Sequence, residues 1–316
     1  VTRSQEDVAA DQRDDIDGLL TGCAAAMQRI YDAGAYVEHE EPSLFLYRME
    51  VGDHSQTGIL GVVPVTNSDD RRILRHESVR PGRADLLTRH LLEVGMSSSP
   101  ISLTYRTDEA LDSVIASCTV AQPILKSTSE GVHQTVWAVA GEDADALINA
   151  MGDRTLYVTD GHHRLAAAEE ARNRVAPTHP DHPLQWTEAV LFPDAEMLVL
   201  PFHRRVGDRA GRSSEAIIEA LSECGPLQPR ADAEDARPIG PGMVGVYVGG
   251  RWFSLELPAA IGSRAVDRLD VSRLQDGILA PAFGITDPGS DPMIDYIPEP
   301  VGLAALVRRC DADERV

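Results

Sequence analysis

Lysine is almost absent: Lys126 is the only one in a chain of 316 residues. A P-loop needs Gly-x-x-x-x-Gly-Lys, and "PILKST" around Lys126 has no such glycines before it, so that route to phosphate binding is closed. A lysine Schiff base is nearly excluded for the same reason. Cysteine is scarce as well. Cys23, Cys118, Cys224 and Cys310 stand far apart without metal-ligand spacing, the pattern of free thiols in a reducing cytoplasm. No apolar run approaches the roughly 18 residues of a membrane span. The opening "VTRSQEDVAADQRDD" is polar and acidic, unlike a secretory signal. Positive charge is the last shortage. Fifty acidic residues against 29 basic ones give a net charge of −21, and such a surface repels nucleic acid and anionic membrane alike. These absences lead us to expect a cytoplasmic protein with small-molecule partners, and they are compatible with a homodimer.

What is present reads as α/β, or mixed α+β. Leu19, Leu20, Cys23, Met27 and Ile30 recur at helical spacing, which predicts a helix over 16–33 and an N-terminal helical segment over 1–34. Strand-like "SLFLYRMEV" and "TGILGVVPV" follow, joined by "GDHSQ". Then "RRILRHESV", "SPISLTYR", "HQTVWAVA", "LYV", "TEAVLFP" and "EMLVLPFHRRV" alternate with helical "GRADLLTRHLLEVG", "DEALDSVIASCTVA" and "EDADALINAM". One domain is expected over 35–206 and a smaller α+β domain over 207–316. The latter holds a helix in "SSEAIIEALSECG", a hairpin turning at Gly249-Gly250, and helical "VSRLQDGILAPAFGI" and "EPVGLAALVRRC". Gly240, Gly242 and Gly245 match G-x-G-x-x-G, but they precede a strand with no helix after it, so they read as a turn.

The chemistry concentrates in "TLYVTDGHHRLAAAEEA". A buried strand ends at Val158 and a strong helix begins near Leu165, so Asp160 to Arg164 form the turn between them. Three readings apply. Asp160 caps the helix; or Asp and His ligate a metal; or the turn binds phosphate. Phosphate is favoured. Gly161 lets the backbone approach a ligand, Arg164 offers a fork of donors, His162 and His163 add more, and the helix start is electropositive.

The stretch resembles the hallmark of the family called domain of unknown function ten-fifteen, within the ParB and sulfiredoxin-like group that includes the free serine kinases. "EEPSLFLYRMEV", "ILRHESVRPGRADLLTRHLLEVGMSSSPI", "LVLPFHRRV" and "LDVSRLQDGILAPAFGI" resemble further family segments in the expected order. The family's early Pro-Tyr-Asp-Val-like motif and late Pro-Lys-Ser-Thr segment do not occur here. The resemblance implies a ParB/sulfiredoxin-like nucleotide-binding domain. Sulfiredoxin chemistry needs a cysteine where this chain has His162, and the acidic balance opposes the DNA binding of ParB. The free serine kinases remain. Their Pro-His-Glu-like element matches His76-Glu77 with Arg75 replacing the proline, which makes Glu77 the expected catalytic base with His76 beside it. Arg83 stands approximately where the family's lysine does, and is expected to join Asp160, Gly161, His162, His163 and Arg164 around ATP or ADP with Mg2+. Asp160 is a weaker candidate for the Mg2+–nucleotide or the substrate amine. His203 and Arg204 are candidate substrate-binding groups. The implied activity is phosphoryl transfer to the hydroxyl of a free amino acid, L-serine first, or a similar metabolite. The alternative is a ParB-like switch that binds or slowly hydrolyses CTP or ATP; a phosphate-binding scaffold is a third reading.

Overall fold

A computed structural model describes residues 15–36, 41–65, 71–77, 79–129, 131–176, 179–200, 202–289, 291–298 and 303–312. The chain divides into two compact units, Val1–Leu198 and Val199–Val316. The division falls at Leu198/Val199 rather than at Val206/Gly207, because strand β9 (Phe202–Val206) hydrogen-bonds to β13 (Ile294–Pro298) in the second unit. The mixed α/β architecture is as the alternating patterns imply.

The first unit is built on an eight-stranded mixed sheet in the order β3-β7-β4-β8-β2-β1-β6-β5. Its strands are β1 (Ser43–Val51), β2 (His54–Pro64), β3 (Ile73–Leu74), β4 (Ile101–Tyr105), β5 (Leu125–Ser129), β6 (Val132–Ala140), β7 (Leu156–Asp160) and β8 (Trp186–Pro193). Alternation works as expected in β4, where Ile101, Leu103 and Tyr105 are buried and the residues between them are not. The β1–β2 turn is tighter than "GDHSQ". Val51 pairs with His54 across Gly52-Asp53, and Gly52 has φ +56°, which glycine tolerates without strain.

Helices α1 (Ile16–Asp32), α2 (Pro81–Val94), α3 (Glu109–Cys118), α4 (Gly141–Met151) and α5 (His162–Val175) complete the unit. Leu111, Ile115 and Cys118 of α3 and Ala144 and Leu147 of α4 enter the main core with Leu46, Ile59, Val139 and Leu191 of the sheet. Helix α5 packs on α2 through small residues: Ala167, Ala168 and Ala171 are buried. The buried Thr88 hydroxyl of α2 donates to its own Ala84 carbonyl at 2.8 Å and reaches the Ala167 carbonyl at 3.5 Å. Asp85 and Arg89, at one-turn spacing, do not pair with each other. Asp85 meets Arg174 of α5 and Arg89 meets Asp17 of α1, so this face of α2 is bracketed by two other helices.

One stretch is given no element by its pattern, and another departs from its expected strand. "PILKST" runs into β5, an edge strand exposed along its whole length. With no buried face it carries no alternating apolar pattern, and the chain's single lysine stands on that open edge, where a charge discourages further strand pairing. In "EMLVLPFHRRV" the strand begins only at Phe202. Asp194–Glu196 is a 3-10 turn, and Leu198, Val199 and Leu200 are exposed.

In the second unit, β10 (Leu227–Arg230), β11 (Met243–Val248) and β12 (Arg251–Glu256) form a sheet in the order β10-β12-β11, with Gly249-Gly250 at the hairpin turn. Helix α6 (Ser214–Cys224) buries Ile217 and Leu221 against Phe253 and Leu255. Helices α7 (Asp270–Leu274) and α8 (Ala280–Phe283) are joined by a π-helical turn, and α9 (Leu303–Asp311) lies near the end. No helix among the described residues is long and apolar enough to cross a membrane.

Candidate functional site

Strands β3 and β7 are parallel neighbours, with Ile73 opposite Leu156 and Leu74 opposite Tyr157. The chain therefore leaves β3 as Arg75-His76-Glu77 at the same end where β7 leaves as Asp160-Gly161-His162. Strand β4 runs antiparallel to β7 and starts at that end, which brings Ser99 and Pro100 alongside. The carboxyl ends of neighbouring parallel strands are where open α/β sheets form their binding crevices.

Gly161 joins β7 to α5 with φ +93° and ψ 24°. A Cβ there would lie 3.0 Å from Ile101 Cγ2 and 3.1 Å from Arg164 Nε. Gly161→Ala is therefore expected to lose about 1–2 kcal/mol from the left-handed backbone alone. Denaturant unfolding should show it; wild-type stability would mean that the turn relaxes freely.

The capping reading does not hold. Helix α5 has no side-chain cap and no acid in its first turn, and the same is true of α2, which begins at Arg80-Pro81. The two starts adjoin, since the Arg80 N–H donates to His163 Nε2 at 3.1 Å. The positive ends of two packed helices thus share one neighbourhood. Asp160 instead takes the Arg164 guanidinium, which also donates to the Ser99 hydroxyl and to the Pro100 carbonyl at 2.5 Å. Arg164 therefore ties the turn to the start of β4 besides lending its charge.

The adjacent histidines face different ways. His162 is 2% exposed, its Nδ1 lies 3.4 Å from Glu77 Oε2, and the His76 ring meets it edge-on at 4.6 Å and 87°. Its Nε2 is buried without a hydrogen-bond partner among the described residues. Burial first, and then the neighbouring His76 ring, hold the His162 ring below the usual histidine value, against the opposing pull of Glu77. His163 is held low by burial and then by Arg83. Near neutral pH both rings are uncharged. The positive charge at the site comes from arginine, and Arg80 and Arg83 have no carboxylate partner among the described residues.

A third histidine, His90 of α2, is lowered chiefly by burial. For groups of this kind the unfolded chain binds protons that the fold refuses, so their stability contribution is full above about pH 6.5 and is lost as pH falls through the folded-state values. Denaturant midpoints should therefore drop as pH falls below about 6.5. A flat profile there would contradict the burial of these rings.

Two residues that shape the turn escape a reading of the sequence alone. Arg75 forms a half-buried ion pair with Glu169 at 2.6 Å, which fastens the His76-Glu77 segment to α5. Arg80 is the other, unmarked because its contact with His163 is made by a backbone N–H. His203 and Arg204 lie on β9 of the second unit, where the Arg204 guanidinium stacks 5.5 Å over the Tyr296 ring. They are not among the residues that the first unit gathers at the turn.

The family described as protein of unknown function (DUF1015) matches residues 1–272. The chain belongs to this family. No curated protein and no solved structure matches it. In this DUF1015 member the match takes in the whole first unit, including every residue of the turn, and runs on into the second.

Proposed function

We propose that the protein transfers the terminal phosphoryl group of ATP or ADP to the hydroxyl of a free amino acid, L-serine first, or of a similar small metabolite, as its resemblance to the free serine kinases implies. The observation that carries this reading is the placement of Glu77. A half-exposed carboxylate stands 3.4 Å from the first residue of a helix that begins uncapped at a glycine turn. That pairing supplies a proton acceptor beside a phosphate cradle.

The nucleotide fits the residues present. A Cβ at Gly161 would press on Ile101 and Arg164, so glycine keeps the backbone there open to close approach, and the uncapped starts of α5 and α2, with Arg164 and with Arg80 and Arg83 close enough to bear on His163, supply the positive and donor groups that an anion needs. In transfer, the substrate hydroxyl gives its proton to Glu77 and its oxygen bonds to the terminal phosphorus. The bond from that phosphorus to the rest of the nucleotide breaks, and its electron pair leaves on the departing phosphate oxygen. Among the described residues no three His, Cys, Asp or Glu side chains lie together to cage a metal. Mg2+ would accordingly be held mainly by the nucleotide's phosphates, where it supplies positive charge when bound.

Phosphorus NMR tests the reading. Protein mixed with Mg2+, ATP or ADP and a pool of hydroxy amino acids should produce a new phosphomonoester resonance. Inorganic phosphate alone, or an unchanged spectrum with nucleotide bound, would reject it.

A further inference from the structure

Glu77 is 60% exposed, yet the ring beside it is 2% exposed. A carboxylate that open samples many orientations unless something holds it. Three features make His162 the holder. Its Nδ1 points at Glu77 Oε2 from 3.4 Å, beyond an ordinary hydrogen bond but within the range that such pairs close when substrate binds. Its ring is fixed in place, edge-on to His76 and sealed in the packing. Its other nitrogen is buried with no partner among the described residues, a cost that folded proteins accept mainly where function requires it.

The chemistry sets the tautomer. An ionised carboxylate only accepts, so the nitrogen facing Glu77 carries the proton and Nε2 is left with a lone pair. A buried lone pair is a poor partner for a phosphate oxygen. The charged neighbours permit a neutral ring: Arg75 is answered by Glu169, and Asp160 by Arg164.

We propose that His162 is a positioning residue, whose Nδ1–H fixes one oxygen of Glu77 so that the other meets the substrate hydroxyl. This rests on Glu77 being the base, and it reassigns His162 from the phosphate-binding set. His163, which accepts from the Arg80 N–H through Nε2, stays with the phosphates.

The test has two parts. In the kinase assay, His162→Ala should lower kcat about 100-fold with the nucleotide KM unchanged, since a misplaced base loses about that much. His162→Asn sets an amide N–H near the position of Nδ1 and should recover most of the rate; His162→Gln sets its amide near Nε2 and should not. A raised nucleotide Kd with unchanged kcat would overturn the proposal and return His162 to the phosphates. The second part needs no turnover. Nitrogen-15 NMR of the His162 ring should show Nδ1–H in the wild type, with that preference abolished in Glu77→Ala. An Nε2–H ring, or Nδ1–H persisting in Glu77→Ala, would overturn the positioning role even if the protein transfers no phosphoryl group. A wild type without transfer but with the expected ring signals would reject the kinase reading and leave the His162–Glu77 pairing standing.

Discussion

Glu77→Gln is expected to lower phosphoryl transfer by about 10²- to 10⁴-fold, the range that removing a positioned base costs. Nucleotide affinity should stay within about twofold, because Glu77 acts on the hydroxyl in the transition state and not on the bound nucleotide. The substitution preserves size and leaves an amide oxygen able to accept from His162 Nδ1, so the turn itself should persist. Titration calorimetry with ADP and a coupled transfer assay measure the two quantities separately. Equal activity in the variant would remove Glu77 from the chemistry. A matched fall in affinity would instead make it part of the nucleotide cradle.

The second large effect is expected one residue beyond the motif. Leu165 is 1% exposed and belongs to the core that includes Ile101, Leu103 and Val158. Its N–H donates to the Gly161 carbonyl at 2.9 Å, so the same residue closes the first helical bond and anchors the helix start in the core. Leu165→Ala should cost about 2–5 kcal/mol, the transfer free energy of the deleted side-chain atoms plus the cavity left behind. Saturating nucleotide should restore part of that stability by mass action, because binding favours the folded state. Denaturant unfolding with and without ADP measures both. A cost below about 1 kcal/mol would place the anchor of α5 elsewhere.

The turn is legible in the sequence because its parts are local. A strand end, a glycine and a strong helix are contiguous, so the junction is placed by pattern alone, but it is shorter than the five residues expected: Asp160 ends β7 and His162 already begins α5, leaving only Gly161 between them. The partner of that turn is not legible from residue pattern. Glu77 reaches His162 through β3, a strand of two residues whose pairing with β7 has almost no alternation to announce it. Only the expected correspondence of His76-Glu77 to the free serine kinases' Pro-His-Glu-like element points there. The different fates of His162 and His163 are hidden for a geometric reason. Consecutive helical residues point about 100° apart, and which one turns inward depends on how α5 packs. Asp160 has the chemistry of a cap or a ligand, and pairing with Arg164 one turn on competes with both. Strand β5 carries no signal because neither of its faces is buried.

Most directly, the proposed activity stands on where the phosphates lie. Backbone amide NMR with increasing ADP, in the absence of any acceptor, reads this without requiring turnover. The amides of His162, His163 and Arg164, with those of the α2 start from Arg80 to Arg83, should shift together and saturate at a single affinity. Saturable shifts confined to other residues, or no shifts at millimolar ADP, would contradict the assignment of this turn as the nucleotide site.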